Sequence, residues 1–396
     1  MQEQIEPTIY ELLKPNINTI ESIIKSNNLK LSSNVNQPLI RLGYHYYNFR
    51  TRNDMVQVTK SINSDNKFYF VINPFEPVIA NYEDNIGKMA NIYFNSKTPY
   101  DRGFLKFWEM LYLFNLTQIK NMPQMFVYTS FDKEESYFSK AFANFKDKLD
   151  TGQYTVNEMN NDFYTKAKKS PSSHLITGNC KINITEDLQF QEQLNYNLIL
   201  AEIISALRLQ EKDGHFVLRV FDNFTLVSIK MIYIMSCFYS EIYLYKPFFS
   251  RPISSERFII FKNFSNNSLK DKIIKSLETI YNESIESKKY IYDIFEDLTI
   301  DDNYIRSFIL INIKLTNPQQ VMMNKIINFI KEQNYYGDKY HKHREEQINS
   351  NKWWIQMFFP PSKNLYQDNK KTLNKLLESI KQRSILELNQ FIKGLL

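Results

Sequence analysis

Glycine is scarce in this chain, with eight residues in 396 and none between Gly103 and Gly152. Loops that cradle phosphates need glycines close together, because only a residue without Cβ lets backbone amides approach an anion so closely. No P-loop is present. The two cysteines, Cys180 and Cys237, are too few for a disulfide framework or a zinc centre and suit a reducing compartment. Long apolar runs are missing too: the longest, near residues 227–239, is broken by Ser228, Lys230 and Ser236 and is too short to span a bilayer. The stretch MQEQIEPTIYELL lacks the basic-then-apolar order of a signal peptide. No Ser-His-Asp or paired-carboxylate arrangement, internal repeat or low-complexity linker stands out. These absences predict a cytoplasmic protein with no membrane partner.

The composition that remains is that of a globular chain, 43% hydrophobic and 23% charged, long enough for one large domain with appendages. A net charge of +6 permits a nucleic-acid partner without demanding one. Residues 3–30 read as one or two helices broken near Pro15, and residues 67–78 as a strand ending at prolines. Residues 100–116 read as a helix with Asp101 as N-cap. A strand over residues 125–131 and a helix over 135–149 start a βαβ rhythm. It continues with a strand at SHLITGN, a helix over 189–209, the strand HFVLRVFD and a helix over 225–238. Strands over 240–245 and 256–262 follow. Beyond residue 265 the chain reads as lysine-rich helices.

One charge sits in the middle of an apolar strand: Arg219 in HFVLRVFD. Around it stand Asp213-Gly214-His215-Phe216-Val217, Lys246-Pro247, Ser250-Arg251-Pro252 and Ser255-Glu256-Arg257-Phe258. In this order the segments resemble FtsJ-like, cap-specific ribose 2′-O-methyltransferases of the large DNA virus and eukaryotic type. The likeness covers roughly residues 95–265. It implies an α/β fold: a Rossmann-like methyltransferase core, mostly parallel sheet flanked by helices, with a helical C-terminal appendage. The expected division is 1–95 as an N-terminal extension packed on the core, 96–265 as the methyltransferase-fold domain and 266–396 as the α-helical C-terminal region.

Members of that family carry a Lys-Asp-Lys-Glu tetrad at the strand ends, with one lysine acting on the ribose 2′-hydroxyl. The resemblance places the first lysine on Lys106, within Arg102-Gly-Phe-Leu-Lys-Phe-Trp-Glu109, and the glutamate on Glu256. The aspartate falls on Asn179 and the second lysine on Arg219, so two of four catalytic positions are altered. A guanidinium cannot release its proton in a protein and cannot serve as a base. An Arg219–Glu256 ion pair is expected instead. The family's cofactor turn resembles [D/E]-x-x-P-G-G-F. Here it becomes Asp132-Lys-Glu-Glu-Ser-Tyr-Phe138, so the cofactor-binding positions Ser130, Asp132 and Glu135 belong to a degenerate loop. Lys246, Ser250, Arg251 and Ser255 are the implied substrate-binding residues.

Three functional readings follow from the resemblance. The first is a non-catalytic relative, with no cofactor, that binds RNA, possibly capped mRNA, or stabilises another subunit of a capping or transcription apparatus in a host cytoplasm or virion. The second is an active S-adenosylmethionine-dependent cap ribose methyltransferase, and the third a structural virion component. Other signals read blandly. His341 and His343 lack the partners of a metal shell, and Trp353-Trp354 suits packing of the helical appendage onto the core or a partner-binding surface. Tyr44, Tyr46, Tyr47 and Phe49 with Arg41, Arg50 and Arg52 suit a half-buried strand or a stacking surface for nucleic acid.

Overall fold

The computed structural model describes residues 5–15, 29–40, 42–60, 72–79, 82–95, 100–132, 136–150, 152–179, 190–287, 289–332 and 337–394, side chains of Thr59, Lys60 and Asn161 excepted. In chain order the elements begin with β1 (Thr8–Glu11), β2 (Leu29–Ser32), α1 (Leu42–Lys60), α2 (Ile86–Phe94) and α3 (Arg102–Phe114). Next come β3 (Phe126–Ser130), α4 (Tyr137–Leu149), β4 (Tyr154–Glu158), α5 (Phe163–Lys166) and β5 (Ser173–Gly178). The central run is α6 (Gln191–Leu194), α7 (Tyr196–Leu209), β6 (Gln210–Phe221), α8 (Leu226–Ser236), β7 (Tyr239–Lys246) and β8 (Glu256–Phe264). The chain closes with α9 (Lys270–Ser287), β9 (Tyr290–Ile294), α10 (Asp302–Lys331), α11 (Asp338–Phe358) and α12 (Lys363–Ile392).

Seven strands form the main sheet in the order β1-β7-β8-β6-β5-β3-β4. Strands β4, β3, β5 and β6 run parallel, β8 runs antiparallel between β6 and β7, and β1 pairs antiparallel at the β7 edge. This is the Rossmann-like, mostly parallel arrangement. Alternation along the strands supplies both faces. Phe216, Leu218 and Val220 of β6 pack with Ile259 and Phe261 under α7, α8 and α9. Val217 packs with Phe258 and Ile260 on the opposite face, under α3, α4, α11 and α12. Arg219 shares the parity of Val217 and therefore points to the α3 face. The chain order reverses between β3 and β5, a topological switch point whose C-terminal strand ends form the usual ligand crevice of such sheets.

Several sequence expectations are corrected. Residues 8–11 form a strand rather than helix, because Ile9 is buried against the sheet edge and pairing with β7 outweighs local propensity. Residues 16–28 and 67–71 lie outside the described residues, and 72–78 form no strand: Pro74 and Pro77 punctuate a turn-rich segment. The aromatic–basic segment is helix α1, with Phe49 and Arg52 buried one turn apart while Tyr46 and Tyr47 are exposed; Arg41 lies outside the described residues. The helix expected over 189–209 breaks at Asn195 into α6 and α7. Among the described residues after 265 one strand remains, β9, paired with β2. Lys230, which interrupts the longest apolar run, is buried and donates to Asp293 and to the carbonyls of Ile294 and Phe295. It thereby fastens β9 to α8. Among the described residues no helix is long and apolar enough to cross a membrane.

The N- and C-terminal regions meet the core at a buried ion pair. Arg52 of α1 grips both oxygens of Asp222, just past β6, at 2.9 Å each, and donates to Gln319 of α10 at 3.3 Å. Asp222 holds a positive φ of 59°, which a short acidic side chain tolerates. Arg257 Nη2 lies 3.6 Å from the same carboxylate, so losing Arg52 leaves the buried charge of Asp222 to a cation at longer range. Arg52→Met is expected to cost about 3–5 kcal/mol, seen as a lower urea midpoint at unchanged slope.

Candidate active site

Four elements converge at the C-terminal edge of the parallel strands. Helix α3 is capped by Asp101, whose side chain accepts from the Phe104 amide at 3.0 Å. One turn later Lys106 reaches across to Glu256, the first residue of β8, with Nζ–Oε2 at 2.6 Å. Ser250 Oγ donates to the same oxygen at 2.7 Å. The other oxygen, Oε1, is ion-paired with Arg219 Nη2. Arg219 Nη1 in turn donates to Asn179 Oδ1 at 3.3 Å, and its guanidinium lies over the Phe221 ring. The structure thus brings Lys106, Asn179, Arg219 and Glu256 together, although they lie far apart in the chain.

The charges of this cluster set one another. Burial raises the Glu256 carboxyl, but the adjacent cations Lys106 and Arg219 outweigh it and hold the group well below the usual carboxylate range. Burial pushes the Lys106 amine down, while Glu256 pulls it back. A carboxylate shared between two cations is fully committed, and the guanidinium beside it has no lone pair to offer.

Asn179 Nδ2 donates to Asp132 Oδ2 at 3.0 Å, and Ser136 Oγ donates to the same oxygen at 2.6 Å. Burial pushes the Asp132 carboxyl up, partly offset by these two donors. Ser136 also accepts from the Phe138 and Ser139 amides as the N-cap of α4. Against the turn [D/E]-x-x-P-G-G-F, Ser136 and Tyr137 stand where the two glycines would be. A helix N-terminus at a switch point is an anion site, and here it already carries a resident carboxylate. Glu135 lies outside the described residues. Ser130 is fully buried.

The remaining sequence-derived candidates are held by internal bonds. Lys246 Nζ donates to the backbone carbonyls of Ser254 and Glu256, bracing the loop between β7 and β8. Ser255 Oγ donates to Gln191 at 3.0 Å, and Arg251 Nε donates to Glu76 at 3.3 Å. Glu76 was not legible in the sequence, because its partners Arg102 and Arg251 lie 26 and 175 positions away. Of the histidines, His341 is exposed and His343 pairs with Glu346 at 3.3 Å, both on α11.

Beneath Lys106, Glu109 is wholly buried and accepts from Trp354 Nε1 of α11 at 3.0 Å. Burial pushes its carboxyl from an ordinary 4.5 to about 8. Between those values the folded chain binds a proton that the unfolded chain releases. Glu109's contribution is therefore fully present below pH 4.5 and is lost as pH rises through about 8. Glu109→Gln is expected to flatten that loss, a few kcal/mol in urea melts taken between these pH values. Asn179→Asp would set two carboxylates in hydrogen-bond contact. It is expected to destabilise the fold by about 1–3 kcal/mol at pH 7 and by less in acid, where one of the pair takes a proton.

Comparison with known proteins fits this geometry. Residues 133–264 match the FtsJ-like methyltransferase family model. The cap-specific mRNA (nucleoside-2′-O-)-methyltransferase 1 of Dictyostelium discoideum is 31% identical over 160 residues, 40% of this chain and 21% of its own length. An uncharacterized protein of Acanthamoeba polyphaga mimivirus is 25% identical over 375 residues, 91% of this chain and 92% of its own. The inactive cap-specific mRNA (nucleoside-2′-O-)-methyltransferase 1B of Caenorhabditis briggsae is 26% identical over 189 residues, 46% and 22% of the two lengths. The match spans about a fifth of these cap enzymes and nearly all of the viral protein. Residues 133–264 are thus similar to FtsJ-like methyltransferases, and part of the chain resembles the cap-specific mRNA 2′-O-methyltransferases.

Proposed function

We propose that the chain is a non-catalytic relative of the cap 2′-O-methyltransferases, kept as an RNA-binding or partner-stabilising component of a capping or transcription apparatus, in a host cytoplasm or a virion. The observation that carries this reading is Arg219, ion-paired to Glu256 and bonded to Asn179. Methyl transfer to a ribose 2′-hydroxyl needs a group that can take its proton, or hold it by a lone pair, beside the nucleophile. At this position the chain offers a permanent cation. The resident carboxylate of Asp132 at the N-terminus of α4 supports the same reading, because the cofactor's own carboxylate would meet a like charge there. An inactive protein among the related cap methyltransferases gives the reading a precedent.

One observation favours a second reading. Lys106 persists at the centre, and burial lowers its amine from the ordinary lysine range, as a general base would require. On that reading the chain is an active S-adenosylmethionine-dependent cap ribose methyltransferase with Lys106 as the working amine.

Calorimetric titration separates the two. The first reading expects S-adenosylmethionine to bind more weakly than about 1 mM, and micromolar binding would overturn it. Methyl transfer from S-adenosylmethionine to capped RNA, abolished in Lys106→Ala, would establish the second. In the RNA-binding form of the first reading capped RNA still binds, giving a salt-dependent anisotropy change without turnover.

A further inference from the structure

A segment of the N-terminal region lies across the loop that joins β7 to β8. Glu76, buried to 8% exposure of its side chain, sets one carboxylate between two arginines. Oε2 is paired with Arg102 of α3, and Oε1 accepts from Arg251 Nε at 3.3 Å and from Asn73 Nδ2 at 2.7 Å. Arg102 is further fixed by donating from Nη1 to the Phe249 carbonyl at 3.2 Å. The two guanidinium groups are near enough that Arg251 lowers the pKa of Arg102, in addition to the larger effect of burial. Both guanidinium groups share this carboxylate, and a phosphate would meet the same donors with more acceptor oxygens and up to two charges.

The placement of Glu76 does not rest on its charge. Phe75 packs against Phe248 and Phe249, with ring centroids 4.9 and 6.1 Å away. The Asn73 carbonyl accepts from Gln347 of α11 at 2.9 Å, and the Pro77 carbonyl accepts from the Gly87 amide at 2.8 Å. The arginine pair also adjoins the central cluster. Arg102 is one turn from Lys106 on α3, and Ser250, next to Arg251, donates to Glu256.

We propose that Arg102 and Arg251 form a phosphate-binding site in which Glu76 stands in for the phosphate, so that the N-terminal segment masks the site until the carboxylate is neutralised or displaced. The ligand chemistry is a phosphate group, carried either by RNA or by a small phosphate compound. Only the RNA source rests on the function proposed above.

Inorganic pyrophosphate and a capped RNA oligonucleotide, titrated separately against the full chain, test this. Glu76→Gln is expected to bind pyrophosphate about tenfold more tightly than the parent, and Glu76→Gln combined with Arg251→Ala to return to the parent value. RNA binding by Glu76→Gln is expected to gain about one to two in salt slope. Unchanged pyrophosphate affinity in folded Glu76→Gln would overturn the site. A pyrophosphate gain with no RNA binding by either chain would keep the site and overturn the RNA-binding function. Should Glu76→Gln fail to fold, Glu76→Asp keeps the charge at shorter reach and is expected to give an intermediate gain. No gain there overturns the site equally.

Discussion

The carboxylate of Glu256 is the constraint on which this face of the protein depends. It joins α3 to the last strands of the sheet through Lys106, β6 to β8 through Arg219, and the β7–β8 loop to both through Ser250. A charge buried this deeply is tolerated only when its partners are fixed in geometry. That requirement links the position of Lys106 to the packing of four elements. Arg219 supplies the second cation on this carboxylate, and a guanidinium has no lone pair with which to accept a proton.

Asn179 and Asp132 extend this logic to the switch point. A carboxylate at residue 179 would face Arg219 on one side and the Asp132 carboxyl on the other. The amide resolves the conflict by accepting from the cation and donating to the acid. Asp132 in turn serves Ser136 and, through it, the N-terminus of α4. The turn after β3 and the end of β5, separate along the chain, thus share one network of charge and hydrogen bonds.

Much of the core was legible because its signals are local. Period-two alternation in HFVLRVFD sets both the strand and the direction of Arg219, and Asp101 before an apolar helical face sets the start of α3. The gathering of Lys106, Asn179, Arg219 and Glu256 could be anticipated from a family pattern, not from any local spacing. What escaped was non-local. Strand β1 exists because β7 offers an edge, and α1 is helical because Phe49 and Arg52 are buried against the core. The reach of Glu76 to Arg251 has no trace in either segment alone. Reading α1 as a strand failed because alternating aromatic and basic residues fit a helix equally well once only one side is buried.

Strand β1 sets a condition on the order of assembly. Thr8 pairs with Lys246 and Glu11 with Tyr243, so one of the first described segments waits for one of the last strands of the sheet before it has a partner. At synthesis rates of about 5–20 residues per second, that wait is on the order of 10–50 s. Until β7 is made, the backbone groups of β1 can pair only with water or with another chain, and the β7 edge is open to any passing strand once it forms. The sheet is sealed at this side by strand β1, which makes closure a long-range and therefore late event in folding.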